Sequence, residues 1–169
     1  MHQFQPLDIK MFQTGPLQHD MDSWMLITAA KGDKVNTMTA SWGGVAFLWN
    51  KYCVIIYVRE SRYTKEFLDA SDEFSLNYMD VKKYHGLKKY MGSVSGRDED
   101  KIKGARLNVN YDDSIPYFDE AATVVLGKVL YKQTFEEEGI IDVNIKDEFY
   151  KDGNYHTMYI AEVAKVIAR

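Results

Sequence analysis

The sequence predicts a mainly β fold, in which an antiparallel sheet carries a few short helices on its flank. Three observations predict it: apolar residues fall in short runs of strand-forming types, the last run alternates with a period of two, and helical signals are few. Closing such a sheet into a barrel removes the exposed edges of its outer strands. No repeat or linker-like segment interrupts the 169 residues, so we expect one domain over residues 1–169.

Six segments carry the strand signal. They cover residues 24–28, 36–41, 53–58, 74–78, 122–131 and 155–167. In the last of them Thr157, Tyr159 and Ala161 alternate with His156 and Met158, a pattern that is typical of a half-buried strand.

Three segments carry a helix signal. Residues 64–68 begin with Thr64, which is a good capping residue. Residues 80–92 begin with Asp80 as a second cap and close at a glycine, the usual residue past a helix end. Residues 98–100 are acidic, and we interpret them as the solvated start of a third helix.

The charge balance argues against a nucleic-acid partner. The chain has 25 acidic and 21 basic residues and a net charge of −4, whereas a polyanion calls for a basic domain. Acidic residues concentrate in residues 112–152, which we interpret as solvent-exposed surface. An apolar content of 46% excludes a disordered or fibrous protein.

Membrane, metal and disulfide chemistry are not predicted either. No apolar stretch approaches the roughly 20 residues that span a bilayer, and no secretory signal is visible, so we expect a cytoplasmic protein. The spacing of His2, His19 and His85 is not that of metal ligands. Cys53 has no second cysteine to pair with and lies in an apolar run, so we interpret it as a small buried hydrophobic residue.

A first candidate anion site lies where a strand stops and a helix starts. Residues 58–64 contain Arg59, Ser61, Arg62 and Thr64. A helix start offers unpaired N–H groups and a positive dipole end, and these side chains add charge-assisted donors. An ordinary helix cap would also explain the segment, and spacing alone leaves both interpretations open.

A second candidate anion site is the small-residue turn over residues 93–101. It contains Ser95, Gly96, Arg97 and Lys101, and the glycine would let the backbone approach an anion closely. A surface turn is the alternative. Neither segment is a Walker loop, and no G-x-G-x-x-G follows a strand, so a Rossmann dinucleotide site is not supported.

A third segment suits a flat ring. Thr39, Ala40 and Ser41 end a predicted strand and are followed by Trp42 and two glycines. Small residues would let a heteroaromatic ring lie against the backbone, where amides and hydroxyls bind its carbonyls and ring nitrogens. The alternative is a strand with outward polar positions and a core tryptophan.

Taken in order, these motifs resemble the flavin reductase-like family of FMN-binding split β-barrels, in particular its flavoredoxin-type branch. The motifs are N-T-M-T-A-S-W, Y-V-R-E-S-R-Y-T-K-E-F-L, F-S-L-N-Y, S-G-R-D-E-D-K and G-N-Y-H-T-M-Y-I-A-E-V, and they span about residues 24–163. The resemblance implies a homodimeric Greek-key split β-barrel that holds one FMN per subunit near the dimer interface.

The resemblance also implies which positions surround the flavin. Those implied to line the isoalloxazine ring are Thr39, Ala40, Ser41 and Trp42. Those implied to hold the ribityl chain and the phosphate are Arg59, Ser61, Arg62 and Thr64. Those implied to reach the phosphate end are Ser95, Gly96, Arg97 and Lys101. His156 is implied to stand beside the flavin, where a nicotinamide would stack.

The activity that the resemblance implies is hydride transfer from NADH or NADPH to flavin. Without a Rossmann signature, a non-catalytic electron carrier or redox sensor is an alternative, and a phosphate-ligand barrel of the pyridoxamine-phosphate oxidase type is another. The chain has Tyr52 and Glu60 where many relatives have proline. Glu60 would oppose an anion unless its carboxylate points to solvent.

Overall fold

The computed structural model of the protein describes residues 24–80, 83–84 and 86–168. In these residues the strands are β1 (Met25–Lys31), β2 (Lys34–Ala40), β3 (Gly43–Leu48), β4 (Lys51–Arg59), β5 (Glu73–Met79), β6 (Val109–Asp112), β7 (Ile115–Phe118), β8 (Ala121–Thr134) and β9 (His156–Ala168). The helices are α1 (Tyr63–Ser71), α2 (Leu87–Ser93), α3 (Lys101–Gly104) and α4 (Val143–Phe149). None of these helices is long and apolar enough to cross a membrane.

Seven strands form one antiparallel sheet in the order β2-β1-β5-β8-β9-β4-β3. Its two edge strands, β2 and β3, are joined by Ser41 and Trp42 alone. Such a link spans at most about 11 Å, whereas the edges of a flat seven-stranded sheet would lie roughly 29 Å apart. The sheet therefore curls until its edges meet at this link, and because β2 and β3 are not hydrogen-bonded neighbours the result is a split barrel.

Two apolar clusters fix the helices that approach this link. The inner cluster combines fully buried side chains of the strands, such as Met25, Ile56 and Phe74, with Phe67 and Leu68 of α1. The outer cluster packs α2 and the β6–β7 hairpin on the other face; its members include Trp24, Leu26, Met79, Met91, Phe118 and Leu126. Each such side chain contributes about 1.5–3 kcal/mol on burial, so α1 and α2 are held firmly against the sheet.

The six predicted strands are confirmed, and three strands were missed. β3 exposes Phe47 and Leu48 and shows no alternation of burial, because it is an edge strand. β6 and β7 have only four residues each, too few for a periodic signal. β9 was expected to be half-buried, but it lies between β4 and β8, and five of its first six residues are buried.

The helix predicted over residues 80–92 starts too early, although part of it lies outside the described residues. Asp80 follows β5, and its carbonyl and carboxylate accept the N–H groups of Tyr84 and Lys83 at 2.9 and 3.3 Å. This turn is followed by Gly86, and α2 begins only at Leu87. The third helix is confirmed, since the Asp100 carboxylate caps α3 by accepting the N–H of Lys103.

Thr64 is not the cap of α1, contrary to the prediction. The N-cap is Arg62, which has extended backbone angles and makes no side-chain capping bond. Thr64 lies in the first turn, is 1% exposed, and accepts a hydrogen bond of 2.9 Å from Asn36 Nδ2 of β2. This bond ties the start of α1 to β2. Cys53 is fully buried, as predicted.

Candidate phosphate and ring-binding site

Two adjoining clefts lie where the ends of β2, β4 and β9 meet α1 and the loop after α2. We name the first the basic cleft; it has a volume of about 230 Å³ and is lined by Thr39, Ser61, Arg62, Thr64, Ser95, Gly96, Arg97 and Lys101, with seven further residues. We name the second the aromatic cleft; it has a volume of about 230 Å³ and is lined by Met38, Thr39, Ala40, Ser41, Trp42, Tyr57, Arg59, Arg62 and His156.

The two clefts share three wall residues, Met38, Thr39 and Arg62, and so form one continuous depression. Every position that the family resemblance assigned to a flavin lines one cleft or the other. The fold explains this convergence. Curling of the sheet brings the end of β2 beside β4 and β9, and the bond from Asn36 to Thr64 brings α1 to the same place.

Arg62 stands at the junction of the two clefts. In the described part of the chain its guanidinium has no hydrogen-bond or ion-pair partner, and the residue is exposed. Its positive charge reaches both sides, because it helps to lower the pKa of Lys101 in the basic cleft and of His156 in the aromatic cleft. A cation without a partner at such a junction is suited to binding an anion.

Lys101 supplies a second cation to the basic cleft. It is only 5% exposed, and its Nζ donates to the carbonyls of Met91 and Val94 at 3.3 and 3.1 Å. No carboxylate pairs with it among the residues that the structure describes. Burial, and then the charge of Arg62, lower its pKa to about 8. Two like charges facing one cleft are costly until an anion enters between them.

The two other arginines of the site are already occupied. Arg59 donates to the carbonyl of Phe149 at 2.9 Å, and its guanidinium carbon lies 5.6 Å from the ring centre of Tyr150. Arg97 donates to the Glu66 carboxylate at 2.7 Å. Arg59 also lies 3.9 Å from the Asp152 carboxylate, so both arginines have a carboxylate partner. Among the described residues Arg62 and Lys101 have none, and they are the cations left for an anionic ligand.

Gly96 is required by packing against a side chain. A Cβ atom at this position would lie 2.1 Å from Asn36 Oδ1 and 3.3 Å from Tyr63 Cδ1. The expected reason for the glycine was close approach of the backbone to an anion. The observed reason is close approach to Asn36, which is itself 4% exposed and bonded to Thr64.

Glu60 lines neither cleft, and its carboxylate has partners of its own. It accepts hydrogen bonds from the hydroxyls of Thr134 and Thr157 and lies 3.4 Å from Lys65 Nζ. Burial alone would raise the pKa of Glu60, but the hydroxyls and the charge of Lys65 outweigh it and lower the pKa. Its side chain is 46% exposed, so it points only partly to solvent, and its charge is balanced on the outer wall.

Trp42 is an exposed wall residue of the aromatic cleft. The interpretation as a core tryptophan is wrong, because the residue is 48% exposed. Its ring centre lies 5.5 Å from that of Phe149 in an edge-to-face contact and 5.3 Å from that of His156. Trp42 thus lies in the β2–β3 link, packs against Phe149 of α4, and remains exposed to a ligand in the aromatic cleft.

His156 begins β9 and is paired in register with Arg59 of β4. It is 7% exposed, and burial, followed by the charges of Arg59 and Arg62, lowers its pKa to about 4. The imidazole is therefore neutral at pH 7. Its Nδ1 lies 2.8 Å from the hydroxyl of Tyr150, which leaves Nε2 for the cleft that His156 lines.

Sequence reasoning missed the contribution of α4 and the residues after it. Residues 112–152 were interpreted as acidic surface, and Glu136, Glu137 and Glu138 are indeed exposed. Phe149 and Tyr150, in contrast, pack on Trp42 and His156. In the sequence, the signal for this contribution is a pair of adjacent aromatic residues, Phe149 and Tyr150, directly after the acidic residues Asp147 and Glu148.

The described residues contain no group of three histidine, cysteine or carboxylate side chains that could hold a metal ion. The histidines considered as ligands, His2, His19 and His85, lie outside these residues.

Comparison with known proteins identifies the family and the fold of the chain. The model of the flavin reductase like domain matches residues 23–169. The flavoredoxin of Methanosarcina acetivorans is 20% identical, with a TM-score of 0.67 over 87% of this chain and 68% of its own. The FMN-binding protein of Thermus thermophilus is 16% identical, with a TM-score of 0.68 over 100% of this chain and 82% of its own.

A third structure of this fold is the NADH:FAD oxidoreductase of Streptomyces globisporus. It is 13% identical, with a TM-score of 0.63 over 87% of this chain and 75% of its own. No curated protein shows significant sequence similarity to the chain. Because the family model covers nearly all of the chain, the protein belongs to the flavin reductase-like family of split barrels.

Proposed function

We propose that the protein binds FMN and acts as a flavin reductase that takes hydride from NADH or NADPH. One observation carries the proposal: two cations without carboxylate partners in the described structure, Arg62 and the buried Lys101, face a cleft that continues into a ring-sized one beside Trp42. A phosphate dianion attached to a flat ring has this distribution of charge and shape.

The described residues fit FMN at both ends. In the basic cleft Arg62 and Lys101 offer charge-assisted donors to the phosphate, and Ser95 lies on the wall beside them. In the aromatic cleft Ala40 and Ser41 are small enough for a ring to approach the backbone. Two adjoining clefts of about 230 Å³ each suit a ligand in the usual size class, for which sites measure about 300–1,000 Å³.

Bound FMN would supply the hydride-accepting chemistry. The chain itself binds and orients the ligands. Thr39 and Arg62 lie on the shared wall and fix where phosphate and ring meet. Trp42 and His156 line the ring end, and the neutral imidazole neither repels the cationic nicotinamide ring of the oxidised product nor attracts a second anion. The NADH:FAD oxidoreductase of the same fold supports a nicotinamide as reductant.

We further propose that the protein is a homodimer. The β3–β4 hairpin at the sheet edge exposes large apolar side chains, among them Phe47 at 64%, Trp49 at 53% and Tyr52 at 72%. Clusters of this kind mark surfaces that bind another protein. Sedimentation of the purified protein tests this directly: a species of one chain's mass, 19.6 kDa, at micromolar concentration contradicts it.

Two measurements test the function. The purified protein should be yellow or should quench FMN fluorescence with micromolar affinity or better, and the absence of both contradicts FMN binding. Stopped-flow mixing of the FMN complex with NADH and with NADPH then tests the activity. Rapid bleaching of the flavin absorbance supports a reductase, whereas a bound flavin that neither nucleotide bleaches supports an electron carrier.

A further inference from the structure

Tyr150 is a buried residue whose hydroxyl is directed at His156. It is 6% exposed and follows the last residue of α4. Its hydroxyl lies 2.8 Å from His156 Nδ1, and the two rings meet edge to face with centres 5.6 Å apart. The ring of Tyr150 also stacks on that of Tyr155, with centres 5.0 Å apart, and lies 5.6 Å from the guanidinium carbon of Arg59.

The position of Tyr150 is fixed through Arg59. The guanidinium of Arg59 donates to the carbonyl of Phe149, the residue before Tyr150, at 2.9 Å. Arg59 is also the register partner of His156 across the β4–β9 ladder. The same side chain therefore ties the tyrosine to the strand pair that carries the histidine, and the hydrogen bond between them does not depend on a mobile surface loop.

The direction of this hydrogen bond follows from counting protons. Burial raises the pKa of Tyr150, so the phenol keeps its proton at neutral pH, and His156 is neutral. Among the described residues the Tyr150 hydroxyl has His156 Nδ1 as its hydrogen-bond partner and no other. If the imidazole donated from Nδ1, the phenol proton would be left without an acceptor in a buried place, which is costly. The phenol therefore donates, and Nδ1 accepts.

We propose that Tyr150 is a positioning residue that holds His156 in the tautomer protonated at Nε2, so that an N–H donor faces the aromatic cleft. The complementary ligand group is a carbonyl or carboxamide oxygen, which accepts from this donor. The inference rests on the proposed function only in placing such a ligand in the aromatic cleft.

Nitrogen NMR of the ligand-free protein tests the tautomer. The full-length chain is labelled with ¹⁵N-histidine, and His156→Gln assigns the signal among the 4 histidines. At pH 7 we expect a protonated Nε2 and an unprotonated Nδ1 in the wild type. In Tyr150→Phe the same ring should shift toward an average of both tautomers. A wild-type signal from the tautomer protonated at Nδ1 overturns the inference, whether or not any variant folds.

Tyr155→Phe is the matched control. It removes a neighbouring phenol whose hydroxyl donates to Glu137 at 3.2 Å and does not contact the imidazole. We expect its His156 signal to match the wild type. An equal shift in both variants would mean that loosening of the aromatic stack, and not the bond to Nδ1, sets the tautomer, and this overturns the inference.

A kinetic measurement tests the donor on the FMN-loaded protein. Loss of one fixed donor should raise KM for the nicotinamide nucleotide about two- to tenfold in Tyr150→Phe, with a smaller change in kcat. An unchanged KM overturns the ligand part of the inference. If the tautomer is as expected but FMN does not bind, the proposed function fails and the assignment of Tyr150 stands; if FMN binds and the tautomer is reversed, the assignment fails alone.

Discussion

Replacing Lys101 with methionine tests the basic cleft most sharply. The substitution keeps an unbranched stem in a buried position and removes the charge that faces Arg62. A charge-assisted hydrogen bond to a phosphate contributes about 1.5–3 kcal/mol, so FMN affinity should fall about 10- to 150-fold at pH 7. Fluorescence quenching of FMN by the protein measures this change.

The same substitution should not lower the stability of the ligand-free protein. A pKa of about 8 in the folded state, against about 10.4 when unfolded, makes the charged Lys101 cost roughly 3 kcal/mol below pH 8. Methionine removes that cost and loses two hydrogen bonds to carbonyls, each of about 1 kcal/mol. Urea unfolding should therefore show equal or slightly higher stability, which separates a ligand-binding role from a structural one.

FMN binding by the wild type should depend on pH, because the pKa of Lys101 is lowered to about 8. Above pH 8 Lys101 loses its proton in the free protein, and a bound phosphate dianion must restore it. FMN binding should then take up a proton, and affinity should fall as pH rises from 8 toward 10, by at most about tenfold per pH unit. Lys103→Met, on the same helix but exposed, is the control. A Lys101→Met protein that binds FMN within twofold of the wild type refutes the assignment.

Three further predictions concern single groups. Arg62→Gln should weaken FMN binding about 10- to 100-fold without unfolding the protein, since the guanidinium has no partner in the described structure; equal affinity would contradict this. Gly96→Ala should destabilise the fold by about 1–3 kcal/mol in urea unfolding, because its Cβ meets Asn36, whereas Gly92→Ala has its nearest neighbour at 3.9 Å and should cost nothing. Stability should fall by up to roughly 3 kcal/mol as pH drops from 6.5 toward 4, because His156 titrates near 4 when folded and near 6.5 when unfolded. His156→Gln should flatten that fall.

The sequence was sufficient to predict the strands that form the core. It also predicted which site residues lie at the ends of those strands. β2 and β4 lie close to their predicted bounds, so Ser41 and Arg59 could be placed at strand ends from pattern alone. The convergence of these ends could not be derived from the pattern, because it depends on sheet closure across a two-residue link. The family resemblance supplied that information.

The features that sequence reasoning missed depend on contacts between distant segments. Thr64 was interpreted as a cap because its type and position suit one, but the side chain is used by Asn36 from another strand. Tyr150 was missed because it follows an acidic, exposed helix, and only the fold brings it to His156. A local pattern predicts which residues form an element, whereas the partner of a polar side chain is set by the tertiary structure.

Arg62 links the two halves of the site electrostatically. Its charge is among the causes that lower the pKa of both Lys101 and His156, although these residues line different clefts. An anion bound in the basic cleft offsets that charge, so the pKa values of Lys101 and His156 should both rise when phosphate binds. Inorganic phosphate alone is then expected to shift the titration of His156 upward, without any ring in the aromatic cleft. This coupling follows from the position of one guanidinium at the junction and from the absence of a competing carboxylate in the described structure.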